Sequence, residues 1–162
     1  MFPLEIQTLA RLLLEECRDR SLRIVTAESC TAGLVAGALG AIPGASDVLE
    51  RGFVTYSNRA KSEMLGVPGD LLADHGAVSE PVARMMAEGA LENSSAHLSV
   101  AITGVAGPGG GTPMKPVGTV HFATARSNKG IRHAVERFDG PDRQDIQLAA
   151  VAMALTMLRE AI

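Results

Sequence analysis

The spacing of apolar residues along the chain predicts helices that alternate with strands. Between Leu4 and Arg20, apolar residues recur at helical spacing and charged residues occupy the opposite face. Short apolar runs at residues 22–25, 52–57 and 98–103 predict three buried strands. Strands that alternate with helices are typical of an α/β fold built in layers.

The second half of the chain predicts a hairpin and a long final helix. Residues 117–125 and 131–138 alternate apolar with polar side chains, and a turn at 127–130 joins them. Because a hairpin is antiparallel, we expect a mixed sheet. The remaining helices are expected at residues 34–40, 59–65 with Asn58 as the cap, 69–75, from 79 onward, and from 140–142 to about 160. No linker or repeat divides the chain, so residues 1–162 are expected to form one domain.

Composition and charge exclude several classes of protein. The net charge is −3 and basic residues form no long run, which disfavours a nucleic-acid-binding surface. The longest apolar run, residues 148–158, is too short to span a bilayer, and residues 1–5 do not begin a signal peptide. Two cysteines suit neither a disulfide framework nor a metal motif. We therefore expect a cytoplasmic protein without a membrane partner, and the many small apolar residues suit a homo-oligomer.

The junction after the first predicted strand carries three nucleophilic or polar side chains. Ser29, Cys30 and Thr31 lie there in succession, just before a predicted helix. The unpaired N–H groups of a first helical turn can stabilise an anion, which acyl-transfer chemistry requires. Considered alone, however, this stretch favours the simpler interpretation, in which Ser29 or Thr31 is a helix N-cap.

Lys61 and Tyr56 follow the second predicted strand, and Thr103 ends the third. Ligand sites in α/β sheets lie at the carboxyl ends of strands, so these residues are expected near Ser29. A buried lysine with a lowered pKa can act as a base, and Ser–Lys pairs replace Ser–His pairs in some enzymes. The alternative is an ordinary solvated lysine. Tyr56 could orient Lys61, relay a proton, or be a plain strand aromatic.

A glycine-rich loop at residues 104–113 and Arg143 are candidates for binding an anion. The loop lacks the Walker and dinucleotide-binding patterns, yet its backbone N–H groups could approach an anion closely. A mobile surface loop is the alternative. Arg143 could bind phosphate or carboxylate through its guanidinium. The four histidines are scattered, and no metal-ligand spacing is present.

Taken together, these motifs resemble the CinA C-terminal domain family, which includes the nicotinamide-nucleotide amidases. The resemblance covers nearly the whole chain. It rests on four motifs in order: Ala27-Glu28-Ser29-Cys30-Thr31-x-Gly33, Gly52-x-Val54-Thr55-Tyr56-Ser57-Asn58-x-x-Lys61, Thr103-Gly104-x-Ala106-Gly107-Pro108-x-Gly110-Gly111, and Lys115-Pro116-Val117-Gly118-Thr119-Val120.

The resemblance implies hydrolysis of the carboxamide of nicotinamide mononucleotide, a small-molecule nucleotide, to nicotinate mononucleotide and ammonia. It implies Ser29 as nucleophile, Lys61 as general base and Tyr56 as a further catalytic residue. It implies no metal or organic cofactor, and a three-layer α/β/α sandwich with a mixed, mostly parallel sheet of about five strands. The substrate-binding residues that it implies are Cys30, Thr31, Gly33, Asn58, Thr103, Gly104, Ala106, Gly107 and Arg143.

The chain departs from the family pattern at three positions. Ala32 replaces a glycine, Pro141 is inserted before the last helix, and Gln147 stands where a second arginine is usual. Two other functions remain open at this point. One is a non-catalytic nucleotide-binding or regulatory module. The other, a thiol enzyme or redox sensor based on Cys30, is disfavoured because no resolving cysteine lies nearby in the sequence.

Overall fold

The computed structural model describes residues 1–162, which build a five-stranded sheet in the order β2-β1-β3-β4-β5. Strand β1 pairs in parallel with β2 and β3, whereas β4 is antiparallel to both β3 and β5. Four strands therefore run in one direction, so the expected mixed, mostly parallel sheet is confirmed. The strands are β1 (Ile24–Glu28), β2 (Leu49–Val54), β3 (Leu98–Gly104), β4 (Thr119–Arg126) and β5 (Gly130–Arg137).

Six α-helices cover the two faces of the sheet. They are α1 (Leu4–Asp19), α2 (Leu34–Gly40), α3 (Asn58–Leu65), α4 (Gly69–His75), α5 (Glu80–Glu92) and α6 (Arg143–Glu160). Helices α1, α2 and α6 share one apolar cluster with the sheet, and α3, α4 and α5 share another. The three-layer sandwich is thus confirmed. None of the helices is long and apolar enough to cross a lipid bilayer.

Strand β1 is an interior strand of the sheet, between β2 and β3, and all five of its residues are buried. Ile24 packs beneath α1, α2 and α6, while Val25 and Ala27 pack against the α3–α5 layer. Side chains alternate between the two faces along a strand, so a strand with helices packed on both sides has buried residues on both faces. The carboxyl ends of β1, β2 and β3 meet at one edge of the sheet, and the candidate site forms there.

Three sequence-based boundaries near this edge were wrong. Strand β1 continues to Glu28 because Thr26 finds a buried partner in the Glu28 carboxylate, at 3.0 Å from Oγ1 to Oε2. Strand β2 ends at Val54, so Tyr56 lies in the following turn. The N-cap of α3 is Ser57 rather than Asn58, since the Ser57 hydroxyl accepts from the Ala60 N–H at 3.0 Å.

Helices α3 and α5 pack unusually closely through Gly89. A Cβ atom added at Gly89 would lie only 1.9 Å from the carbonyl oxygen of Leu65, the last residue of α3. A glycine in the middle of a helix weakens that helix, so its presence here reflects the packing contact. The close contact presses α3, which carries Lys61, against α5.

Candidate active site

A cleft of about 310 Å³ opens at the carboxyl edge of the parallel strands. Its walls come from the segments that follow β1, β2 and β3 and from the start of α6. Ala77 and Val78 also line it and were missed, because apolar residues in loops carry no chemical signal in the sequence. The predicted site residues in its wall are Ser29, Cys30, Tyr56, Asn58, Lys61, Thr103, Gly104, Ala106, Gly107 and Arg143.

Ser29 and Lys61 are in direct contact within this cleft. The Lys61 Nζ lies 2.9 Å from Ser29 Oγ, and it also donates to the carbonyl oxygens of Thr55 at 2.9 Å and Tyr56 at 3.3 Å. Lys61 is 1 % exposed, and this burial lowers the pKa of its amine. A neutral amine that donates to both carbonyls presents its lone pair to the Ser29 hydroxyl. The pair therefore has the geometry of a serine activated by a lysine base.

The turn that carries Ser29 is anchored by the residue before it. Glu28 is fully buried, and its carboxylate accepts four hydrogen bonds, one for each acceptor position of an ionised carboxylate. The donors are Thr26 Oγ1 at 3.0 Å, Thr31 Oγ1 at 2.8 Å, and the N–H groups of Val35 at 2.9 Å and Ala36 at 3.0 Å.

Glu28 therefore occupies the N-terminus of α2. The expectation that the first turn of this helix supplies anion-stabilising N–H groups to the substrate is wrong, because Glu28 already accepts from them. The interpretation of Ser29 or Thr31 as the N-cap is also wrong, since Gly33 holds that position without a side-chain cap. Glu28 was missed as a structural centre of the site, and its only signal was an acidic residue shortly before a helix.

Thr31 and Gly33 lie outside the cleft wall, contrary to their expected role in substrate binding. The Thr31 hydroxyl is directed to Glu28. Gly33 has a φ of 95°, and an added Cβ would meet Val54 Cγ2 at 3.3 Å, so the turn itself requires glycine there. Both residues shape the turn that presents Ser29.

Arg143 joins α6 to two other walls of the cleft. Its guanidinium donates to the carbonyl oxygen of Gly107 at 2.8 Å and to the Tyr56 hydroxyl. Tyr56 thus contacts Lys61 only through its backbone carbonyl, and the interpretation in which its hydroxyl orients Lys61 is wrong. Tyr56 instead helps to hold Arg143 at the mouth of the cleft.

The glycine-rich loop presents free backbone donors to the cleft. The N–H groups of Ala106, Gly107, Gly109 and Gly110 donate no hydrogen bond within the chain. Thr103, at the end of β3, is buried and donates its hydroxyl to the Ala77 carbonyl at 2.9 Å. Free N–H groups beside an arginine are suited to binding an anionic group.

Cys30 and the histidines are poorly placed for catalysis. Burial raises the pKa of the Cys30 thiol to about 12, so the reactive thiolate is scarce at neutral pH. None of the four histidines lines the cleft, and His121 and His133 bond to each other at 2.9 Å. No group of three or more His, Cys, Asp or Glu side chains is arranged to hold a metal ion. Ser29 and Lys61 are therefore the candidates for a nucleophile and a base in this cleft.

Comparison with known proteins agrees with the motifs. The sequence profile of the CinA C-terminal domain matches residues 6–162. The chain belongs to the CinA C-terminal domain family. A CinA-like protein of Anaeromyxobacter sp. (strain K) is 51% identical over 154 residues, which are 95% of this chain and 37% of that protein. The chain thus spans little more than a third of the curated relatives it matches.

Solved structures of CinA proteins match over almost their whole length. The competence/damage inducible protein CihA from Agrobacterium tumefaciens has a TM-score of 0.97 and 49% identity, covering 99% of this chain and 97% of that one. A competence-damaged protein (CinA) superfamily protein from Escherichia coli has a TM-score of 0.92 and 39% identity, covering 97% and 90%. The sandwich described above is therefore the CinA fold.

The three departures from the family pattern have local structural explanations. Ala32 has a φ of 48°, a left-handed conformation that glycine adopts more easily. Pro141 lies outside α6, which begins after an Asp142 cap and keeps Arg143 in the cleft. Gln147 donates from Nε2 to the Cys30 carbonyl at 2.9 Å, so it contacts the turn that carries Ser29.

Proposed function

We propose that this chain is an amidohydrolase that converts nicotinamide mononucleotide to nicotinate mononucleotide and ammonia. The observation that carries the proposal is the 2.9 Å contact between the buried Lys61 amine and Ser29 Oγ, in a cleft that also holds an arginine and free N–H groups. Membership of the CinA family, with the motif resemblance to its nicotinamide-nucleotide amidases, supports the choice of substrate.

In the proposed reaction, Ser29 Oγ attacks the carboxamide carbon while its proton passes to the neutral Lys61 amine. The resulting oxyanion collapses, and the C–N bond breaks as Lys61 returns the proton to the leaving nitrogen, which departs as ammonia. Water then attacks the acyl-serine ester, with Lys61 again accepting a proton and returning it to Ser29 Oγ. The products are nicotinate mononucleotide and the regenerated serine.

The phosphate of the substrate would bind away from Ser29, at the mouth of the cleft. Arg143 retains guanidinium donors beyond the two that contact Tyr56 and Gly107, and the N–H groups of Gly109 and Gly110 are free. An arginine with adjacent backbone donors makes strong charge-assisted bonds to phosphate. This arrangement supports a nucleotide, rather than a free pyridine carboxamide, as the substrate.

The test is release of ammonia from nicotinamide mononucleotide by the purified protein. Ser29→Ala should abolish it because the nucleophile is lost, whereas Cys30→Ala should keep measurable release since its thiol is protonated. Mass spectrometry of a rapidly quenched reaction should find the acyl group on Ser29. Turnover by Ser29→Ala would contradict the proposal. Saturable nucleotide binding without ammonia would favour a regulatory module.

A further inference from the structure

Gln147, near the C-terminal end of the sequence, connects α6 to the turn at residues 29–33, the nucleophile turn. Its side-chain amide donates to the carbonyl oxygen of Cys30 at 2.9 Å, across 117 residues of sequence. It lies one helical turn after Arg143, so the same face of α6 reaches both the mouth of the cleft and the residue beside Ser29. Nothing in the nucleophile–base pair itself accounts for this contact.

Two successive backbone N–H groups next to Ser29 have no acceptor within the chain, those of Cys30 and Thr31. The carbonyl oxygen of each of the two peptide groups that carry these N–H groups accepts a hydrogen bond. The Ser29 carbonyl, which shares a peptide with the Cys30 N–H, accepts from the Ala32 N–H at 3.0 Å. The Cys30 carbonyl, which shares a peptide with the Thr31 N–H, accepts from Gln147.

The direction of the Thr31 N–H follows from peptide geometry. In a trans peptide the C=O and N–H groups point in opposite directions. Gln147 holds the Cys30 carbonyl towards α6, which packs on the face of the sheet that carries α1 and α2. The Thr31 N–H therefore points away from α6, but Thr31 is fully buried and does not line the cleft. Cys30 does line the cleft, so its free N–H is the one that lies beside Ser29 and open to substrate.

We propose that Gln147 is a positioning residue: by holding the Cys30 carbonyl, it fixes Cys30 so that the free Cys30 N–H, next to Ser29 in the cleft wall, serves as an oxyanion donor for Ser29 chemistry. This inference rests on the proposed amidase function. Acyl transfer requires donors fixed where negative charge develops, and the N–H of the residue that follows the serine lies next to that position. The N–H groups of Val35 and Ala36 cannot serve, because the Glu28 carboxylate accepts from them.

The experiment compares three substitutions at Gln147 with a matched one at Gln144. Gln147→Met removes the donor while keeping an unbranched side chain, and Gln147→Glu keeps the length but cannot donate. Gln147→Arg restores a donor. Gln144 lies on the same helix, and its exposed side chain makes no hydrogen bond, so Gln144→Met controls for a change on α6. The readouts are kcat and KM for ammonia release, thermal stability, and the rate of Ser29 acylation by p-nitrophenyl acetate.

We expect Gln147→Met and Gln147→Glu to lower kcat and the acylation rate by about 10- to 100-fold, less than the loss of a direct oxyanion donor, with little change in KM. Gln147→Arg should recover most of both rates, and Gln144→Met should match the unmodified protein. A contact that only supports the fold would lower thermal stability and leave both rates unchanged.

The two rates separate this inference from the proposed function. Suppose that Ser29 is acylated at a rate that depends on Gln147, but that no ammonia is released from nicotinamide mononucleotide. The proposed substrate would then be wrong, and the positioning role of Gln147 would stand. Rates in Gln147→Met and Gln147→Glu equal to those of the unmodified protein would overturn the positioning role, as would an Arg variant as slow as the Met variant. Absence of both Ser29 acylation and ammonia release in the unmodified protein would overturn both proposals.

Discussion

Replacing Lys61 with methionine should separate the role of its amine in catalysis from its effect on stability. Methionine is unbranched and of similar length, but it has no nitrogen to accept the Ser29 proton. A positioned general base contributes about 10²- to 10⁴-fold to rate, so kcat should fall by a factor in that range. KM should change little, because the Lys61 amine contacts the nucleophile and two backbone carbonyls.

Stability should depend on pH in the unmodified protein through Lys61. Burial lowers the pKa of this amine in the folded protein below its ordinary value of 10.5. Between the folded pKa and 10.5, the unfolded chain holds a proton that the folded protein lacks, so stability rises with pH. The slope in this window is about 1.4 kcal/mol per pH unit, and the contribution is constant below the folded pKa.

Lys61→Met cannot show this pH dependence. The free energy of unfolding of Lys61→Met minus that of the unmodified protein should therefore decrease as the pH rises through the window. Methionine leaves the carbonyls of Thr55 and Tyr56 without their lysine donor, at a cost of about 1–3 kcal/mol each if no water replaces it. The sign of the pH trend is independent of that offset.

Two measurements over the same pH range check this reasoning. The kcat/KM of the unmodified protein should rise tenfold per pH unit and level off at a pKa below 10.5, and urea unfolding should show the stability trend. Lys129→Met, at an exposed lysine in the β4–β5 turn, is the matched control and should change neither the pH profile of kcat/KM nor the pH dependence of stability. Turnover by Lys61→Met above a tenth of the unmodified rate would refute the base assignment. A stability difference that does not vary with pH would refute the buried-amine argument.

Three further substitutions test the site and the fold. Arg143→Ala should lower kcat/KM for nicotinamide mononucleotide by about 10- to 100-fold, mainly through KM, because a charged hydrogen bond is worth roughly 1.5–3 kcal/mol. The loss should be smaller for nicotinamide riboside, which has no phosphate, and equal losses for the two substrates would exclude Arg143 as the phosphate ligand. Tyr56→Phe is the control for the contact between Arg143 and the Tyr56 hydroxyl. Ala32→Gly should raise the free energy of unfolding by up to about 1 kcal/mol, because the φ of residue 32 is 48°. A lower free energy of unfolding in urea would contradict this. Gly89→Ala should lower the free energy of unfolding by about 1–3 kcal/mol and lower kcat, although helix propensity alone favours alanine by about 1 kcal/mol. A higher melting temperature in the variant would show that α5 adjusts without moving Leu65 and α3.

The layers of the fold were predictable because each element buries one apolar face of its own. On α5, for example, apolar residues recur at helical spacing: Val82, Met86 and Ala90 are buried, and Met85 and Leu91 are partly buried against the same cluster. The hairpin of β4 and β5 followed from two alternating segments and a short turn. Placing site residues at strand ends followed from the general architecture of α/β sheets.

The contacts that hold the nucleophile turn were not predictable, because their partners are distant or belong to the backbone. Glu28 accepts from N–H groups seven and eight residues later, so no side-chain motif marks the contact. Gln147 reaches the Cys30 carbonyl only after α6 has packed on the sheet. A local N-cap rule therefore selected Ser29 or Thr31, whereas the acid before them supplies the anion at α2.

Within the proposed reaction, the buried amine of Lys61 also governs product release. Hydrolysis places a carboxylate where the neutral carboxamide was, and a nearby carboxylate favours the protonated form of a lysine. Above the pKa of Lys61, nicotinate mononucleotide therefore binds with uptake of a proton, and its inhibition constant should increase with pH while substrate affinity changes little. Product inhibition measured across that pH range would show this linkage. Because burial disfavours the protonated form of Lys61, this residue contributes little to the binding of the product carboxylate above its pKa.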